Sequence, residues 1–292
     1  MLCVVLYAIF ILQIGCKVIK KNLIGISIRQ ERERIGSVSF LKSPHLHYLC
    51  IMNQIVITDL AIGYKQQVVA QHLSACLQGG RLTALIGPNG MGKSTLLRTL
   101  AGMQPALAGT VTLSDGTTER RLDSLSKHEV SRWIGVVLTD RVDVANTTVA
   151  EVVATGRMPY TGFFGHLDNK DRQVVDEAMH LTGISALAHR QVTTLSDGER
   201  QKIMIAKALA QQTPVVLLDE PTAFLDYPSK VETLRLLHRL AHETGKIIVL
   251  STHDLNLAMH IADRLLTIAD GIEEIGKDRL RLYLERLMRD NP

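Results

Sequence analysis

Gly87-Pro88-Asn89-Gly90-Met91-Gly92-Lys93-Ser94-Thr95 match the spacing G-x-x-x-x-G-K-[ST] in full. That spacing is a phosphate cradle. Glycines let successive backbone N–H groups turn inward around phosphate oxygens, the Lys93 ammonium reaches the β- and γ-phosphates, and the Ser94 hydroxyl is offered to Mg²⁺. Kinases, GTPases and ATPases all start from such a loop, so a further feature has to separate them. Val215-Val216-Leu217-Leu218-Asp219-Glu220 narrows the choice as an apolar run that ends in adjacent carboxylates. Asp219 is suited to hold Mg²⁺ through water, and Glu220 to polarise an attacking water.

These residues need elements that hold them. Residues 82–86 (LTALI) form a short apolar run entering the loop, and residues 94–101 follow as a helix with Leu96, Leu97 and Leu100 inward. Strand, loop, helix is the order that a phosphate cradle requires. Further apolar runs at 215–218, 247–250 and 265–268 suit strands buried on both faces. A helix over 229–242, stopped by Gly245, lies between two of them. Strands alternating with helices predict a parallel α/β sheet. Residues 141–212 differ: amphipathic patterns at 147–157 and 170–182, then a helix starting near Ser196, predict a mostly helical insertion.

That last helix opens with Leu195-Ser196-Asp197-Gly198-Glu199-Arg200-Gln201. Ser196 and Glu199 have the spacing of a capping box, and the free amides of a helix start also attract phosphate. Together with the loop and the carboxylate strand, this segment resembles the LSGGQ signature of the ATP-binding cassette (ABC) family, and the resemblance covers residues 53–271. It implies an α/β fold of the P-loop NTPase kind, with a parallel-sheet core, an N-terminal antiparallel β portion and an inserted helical subdomain at about 141–212. It further implies the ATP-hydrolysing subunit of an ABC transporter, with two copies sandwiching ATP between one copy's loop and the other's signature.

Carried over residue by residue, the resemblance implies that Tyr64 stacks on adenine and that Ser196 and Gly198 meet nucleotide across the dimer. Asp226, in the AFLD segment, communicates between subunits. His253, in STHD, contacts the γ-phosphate beside Lys93 and Glu220 in the catalytic set, and Ser94, Asp219 and Thr139 surround Mg²⁺. Thr139 stands where the family has a glutamine, and its shorter side chain favours a bridging water over direct contact with the metal. Residues 147–165 (TTVAEVVATGRMPYTGFFG) resemble the segment found in ATPases of importers for iron–siderophore, haem and cobalamin chelates. The implied partners are a polytopic permease, a second copy of the chain and, indirectly, an extracytoplasmic substrate-binding protein, with no nucleic acid. The implied location is peripheral, on the cytoplasmic face of the inner (plasma) membrane. The alternative is a soluble ABC-type ATPase of DNA maintenance or translation, a group that usually has long coiled-coil insertions or tandem cassettes; this chain has one cassette and no sustained heptads.

With 46% hydrophobic and 21% charged residues, 21 Gly and 8 Pro in 292, the composition excludes collagen-like and disordered classes. A net charge of +4 invites a nucleic-acid reading. Position removes it: residues 1–51 hold seven Lys or Arg against two Glu, leaving 26 basic against 27 acidic residues from Met52 onward. Three of the four cysteines (Cys3, Cys16, Cys50) also lie there, leaving Cys76 without an obvious partner, which points to a reducing compartment. The extension 1–51 reads either as translation from a start assigned too early, the favoured expectation, with Met52 the natural start, or as a short hydrophobic anchor. Residues 272–292 are expected to form a C-terminal helix, with its amphipathic pattern at 277–289.

Asp197 and Glu199 replace the usual glycine and glutamine of the signature and bring negative charge to a site expected to meet a γ-phosphate. Asp197→Gly and Glu199→Gln are therefore expected to raise ATP turnover in the assembled complex. Steady-state phosphate release checks this, and unchanged or lower turnover in both variants would count against charge repulsion.

Overall fold

The computed structural model describes residues 53–65, 67–139, 146–162 and 165–276. The extension 1–51 and the amphipathic pattern at 277–289 lie outside the described residues.

Strands β1 (Gln54–Tyr64) and β2 (Gln67–Gln78) form a hairpin, and β3 (Arg81–Ile86) leads through the glycine loop into α1 (Lys93–Leu100). Next come β4 (Ala108–Ser114), β5 (Glu119–Arg121), α2 (Lys127–Trp133) and β6 (Ile134–Val137). Helices α3 (Val149–Ala154), α4 (Asn169–Thr182) and α5 (Asp197–Ala210) make the insertion. The chain then runs through β7 (Val215–Leu218), α6 (Tyr227–Thr244), β8 (Ile247–Thr252), α7 (Leu255–Ile261), β9 (Arg264–Ile268) and β10 (Ile272–Glu274).

Two sheets result. The antiparallel one has the order β2-β1-β4-β5, and the larger one β10-β9-β3-β8-β7-β6, with every neighbour parallel except β10 against β9. Side chains of the parallel strands alternate between two cores. Leu82, Ala84, Val216, Leu218, Ile248 and Leu250 face the insertion and α6, where they join Ile203, Ala206 and Leu237. Leu85, Val215, Leu217, Ile247 and Val249 face the other way, toward Leu96, Leu97 and Leu100 of α1 and Ile55, Leu60 and Leu73 of the antiparallel sheet. Burial on both faces is why these strands read as unbroken apolar runs, each such side chain contributing about 1.5–3 kcal/mol.

The parallel strands predicted from those runs form, each within two residues of its expected ends. Helix 229–242 lengthens to α6, which starts at the cap Asp226, with Pro228 in its first turn, and stops at Gly245 in the left-handed conformation, φ 65°. The expected boundary at 271 needs correction, because Ile272–Glu274 pairs with β9 as a strand and is not helical. Strand β2 escapes periodicity reading because bulges shift its register with β1 between Ile57 and Gly63, so its exposed and buried residues do not alternate cleanly.

The insertion is organised by capping boxes and one buried ion pair. Thr148 with Glu151, Asp168 with Asp171, and Ser196 with Glu199 each satisfy the first amides of a helix reciprocally. Arg157 Nε donates to Asp171 Oδ1 at 2.9 Å, with side chains 4% and 11% exposed. Its Nη1 also donates to Ala210 O at 2.8 Å and Gln212 Oε1 at 3.0 Å, and its guanidinium lies 4.1 Å from the Tyr160 ring centre. One side chain thus ties the segment after α3 to the start of α4 and the end of α5. Burial pushes the Asp171 carboxyl upward, but the Arg157 hydrogen bond and the Asp168 amide outweigh it and hold the group below its ordinary value. The pair's contribution is therefore complete above the ordinary carboxylate range and is lost as pH falls through the depressed value. Arg157→Ala is expected to cost about 3 kcal/mol in urea unfolding at neutral pH, because the buried Asp171 charge loses its partner. A loss within about 0.5 kcal/mol, as for a surface site, would refute the clamp.

Candidate active site

Parallel strands end on one edge, and the predicted chemistry lies along it. The phosphate loop follows β3, Asp219 and Glu220 follow β7, His253 follows β8 and Thr139 follows β6. Gly92 caps α1 with φ 93° and no side chain, which leaves the first amides of the helix free for an anion. The left-handed backbone at Gly92 favours glycine, and a Cβ there would press on Val69 at 3.0 Å. Lys93, only 5% exposed, donates from Nζ to Gly87 O at 2.7 Å and Pro88 O at 2.8 Å. Burial lowers its pKa, while the charges of Glu220 and Asp219 pull in the opposite direction.

Asp219 is the junction. Its Oδ1 accepts from Ser94 Oγ at 2.8 Å and from Ser251 Oγ at 2.7 Å. Ser94 and Asp219 thus present a hydroxyl and a carboxylate side by side, a hard-oxygen pair that fits Mg²⁺, with water and phosphate as further ligands. Glu220 adopts φ 46°, uncommon for a residue with a side chain, and its amide donates to Ser251 Oγ at 2.8 Å. Its carboxylate Oε2 lies 3.3 Å from His253 Nδ1. Thr139 donates its hydroxyl proton to the Asp219 carbonyl, at 2.8 Å.

An open cleft of ≈ 260 Å³ is lined by Tyr64, Val69, Asn89, Gly90, Gly92, Lys93, Ser94, Thr95 and Glu220. Tyr64, at the end of β1, is 48% exposed, and its phenol oxygen accepts from Thr95 Oγ1 at 3.3 Å. The lining contains no signature residue. Asp197 lines a separate pocket with Thr139, Arg200, Gln201 and Glu220. Glu199 folds back on its own helix start, Oε2 accepting from the Ser196 amide and hydroxyl at 2.9 Å each, and the amide bond foremost lowers its pKa. Glu199 is thus held ionised and turned onto its own helix start. Gly198 lies against Ser229, whose Oγ would be 3.2 Å from an added Cβ, and the Ser229 amide donates to Asp226 at 3.1 Å. The signature start and the Asp226 cap are thus neighbours, and neither lines the phosphate loop's cleft.

A family profile described as ABC transporter matches residues 70–223. The chain belongs to the ABC transporter family. It is 41% identical over 213 residues to the ferric enterobactin transport ATP-binding protein FepC of Escherichia coli, covering 73% of this chain and 77% of that one. Among solved structures it is similar to a metal-chelate type ABC transporter in an inward-facing conformation, with TM-score 0.69, 28% identity and coverage of 81% and 89% of the two chains. It is also similar to a dimeric bacterial ABC transporter cassette, with TM-score 0.62, 26% identity and coverage of 75% and 96%. The protein is accordingly an ATP-binding cassette that hydrolyses ATP to power transport.

Ser251, which touches both Asp219 and the Glu220 amide, is the neighbour of the site that motif reading misses. Its signal is a small hydroxyl at the end of an otherwise apolar run, IIVLST. Ser251→Ala leaves the Glu220 amide without its acceptor and takes one donor from Asp219, a loss of about 1–3 kcal/mol for a buried group. ATP turnover is expected to fall about 10-fold or more with ATP affinity changed less than about 3-fold, since the loss falls on positioning. A kcat equal to wild type in a coupled ATPase assay would remove Ser251 from the site.

Proposed function

We propose that this cassette is the ATPase subunit of an importer for ferric chelates, acting as a homodimer on a polytopic permease that an extracytoplasmic binding protein supplies. The observation that carries the dimer is the incomplete cleft: Tyr64, the phosphate loop and Glu220 line it, while Ser196, Gly198 and Asp226 stand elsewhere on the same chain. A second copy would bring its signature over the first copy's loop. The cargo reading is supported by the ferric enterobactin and metal-chelate relatives and by residues 147–165. In this role the protein lies on the cytoplasmic face of the inner membrane, held there by the permease; among the described residues no helix is long and apolar enough to cross a membrane.

In this reading Tyr64 carries the adenine, and residues 87–95 and Lys93 hold the β- and γ-phosphates. Ser94 and Asp219 would hold Mg²⁺, with Thr139 reaching it only through water. Bound there, the ion offsets phosphate charge. Glu220 orients and deprotonates the attacking water, and His253, 3.3 Å from that carboxylate, holds the γ-phosphate side of the site. The strained backbone of Glu220 aims its carboxylate.

Glu220→Gln is expected to lower ATP turnover by about 100-fold or more while preserving ATP binding, and to accumulate an ATP-bound dimer on size exclusion. Full hydrolysis would remove Glu220 from the base role, and a monomer under those conditions would count against the dimer. In cells lacking the natural gene, wild type and not Glu220→Gln should restore uptake of a radio-iron-loaded chelate. Restored growth on another cargo with no iron uptake would overturn the ferric assignment.

A further inference from the structure

The edge of the parallel sheet opposite the nucleotide cleft carries a cluster with no part in ATP chemistry. His238 and His242 stand one turn apart on α6, and Asp263 immediately precedes β9. His242 Nε2 lies 3.1 Å from both Asp263 oxygens, and His238 Nε2 lies 3.3 Å from Oδ1. The three donor atoms all fall within 4.8 Å of one another, and the two imidazole centres are 4.3 Å apart. We propose that His238, His242 and Asp263 form a binding site for a divalent first-row transition ion of the Zn²⁺ type, which pins the end of α6 to the start of β9.

Donor chemistry and geometry both support this. Two imidazole nitrogens with one carboxylate suit Zn²⁺ and its neighbours rather than Mg²⁺ or Ca²⁺, and histidines at i and i+4 share one helix face. Bonds of about 2.0–2.1 Å in tetrahedral geometry put donor atoms roughly 3.3–3.4 Å apart, close to the histidine–carboxylate separations seen here. The carboxylate is oriented from behind, because its Oδ2 accepts from the Leu82 amide at 2.8 Å, the kind of outer support that metal ligands use. The adjacent cation does not compete for it. Arg264 directs Nε and Nη2 to Glu274 at 3.1 and 2.7 Å and Nη1 to the Cys76 carbonyl at 2.7 Å.

Both imidazoles turn Nε2 to the one carboxylate, His242 within hydrogen-bond distance of both oxygens and His238 at 3.3 Å from Oδ1, so three donor atoms converge on one space. Side-chain exposures of 39%, 47% and 24% for His238, His242 and Asp263 leave access for an ion and room for water or another ligand in the remaining position. Leu82 is the second residue of β3 and the phosphate loop follows the far end of that strand, so the site is separated from the cleft by about the strand's length.

The test uses the full chain stripped of metal, titrated with Zn²⁺ by calorimetry and with Co²⁺ by visible absorption, alongside His238→Gln/His242→Gln. Wild type is expected to bind one more equivalent than the double variant, to show Co²⁺ bands of nitrogen and oxygen coordination that the variant lacks, and to gain about 5 °C or more in Tm with excess Zn²⁺. Equal stoichiometry together with an equal Zn²⁺-dependent rise in Tm would overturn the proposal. The quantity compared is the increment on adding metal, so a difference in Tm between the two metal-free proteins cancels. Urea unfolding of the metal-free variant, expected to be cooperative and within about 1 kcal/mol of metal-free wild type as for other surface changes, confirms that it folds.

Discussion

A single carboxylate oxygen governs the active edge. Asp219 is 6% exposed, and its Oδ1 collects hydroxyl protons from the first turn of α1 and from the end of β8. A carboxylate that far from water is costly unless it is hydrogen-bonded, so the ends of β3, β7 and β8 must stand together for the fold to be stable. Register enforces this: Leu218 pairs with Leu250, and Leu85 with Ser251. A slip of one residue would turn Ser251 to the opposite core and leave both Asp219 and the Glu220 amide short of a partner. The catalytic geometry and the strand alignment are thus one requirement, met by the same atoms.

The helical insertion obeys a different logic. Its helices each start on a reciprocal cap and are tied together by Arg157, which reaches α4 and the end of α5. Because α5 also begins with the signature, the clamp that orders the insertion also orients the residues proposed to meet the second copy.

Much of this is legible in residue order. The loop, the strand ending in Asp219 and Glu220, and the runs around 215–218 and 247–250 are visible because strands buried on both faces leave no polar interruption. Strand order is not, since β3 lies between β8 and β9 for reasons of packing that no local pattern records. Bulged pairing with β1 hides β2, and an ordinary appearance at a strand end hides Ser251. The capping reading of Ser196 and Glu199 is met in full, with the Glu199 carboxylate held by its own helix start. Contacts between residues far apart in sequence, such as Thr139 on the Asp219 carbonyl or Asp263 against the His238–His242 pair, have no signature in spacing.

The separation of the phosphate loop's cleft from the signature has a kinetic meaning. If each reaction centre is assembled from two copies, free cassettes encounter one another as a bimolecular step, and their specific activity should climb with protein concentration. Attachment of both copies to one permease replaces that encounter with a fixed local concentration, on the order of millimolar for short flexible tethers. Hydrolysis would then be silent in stray subunits and fast only where a transport pathway is present. An unfinished pocket in the single chain is, on this view, a safeguard against futile consumption of ATP.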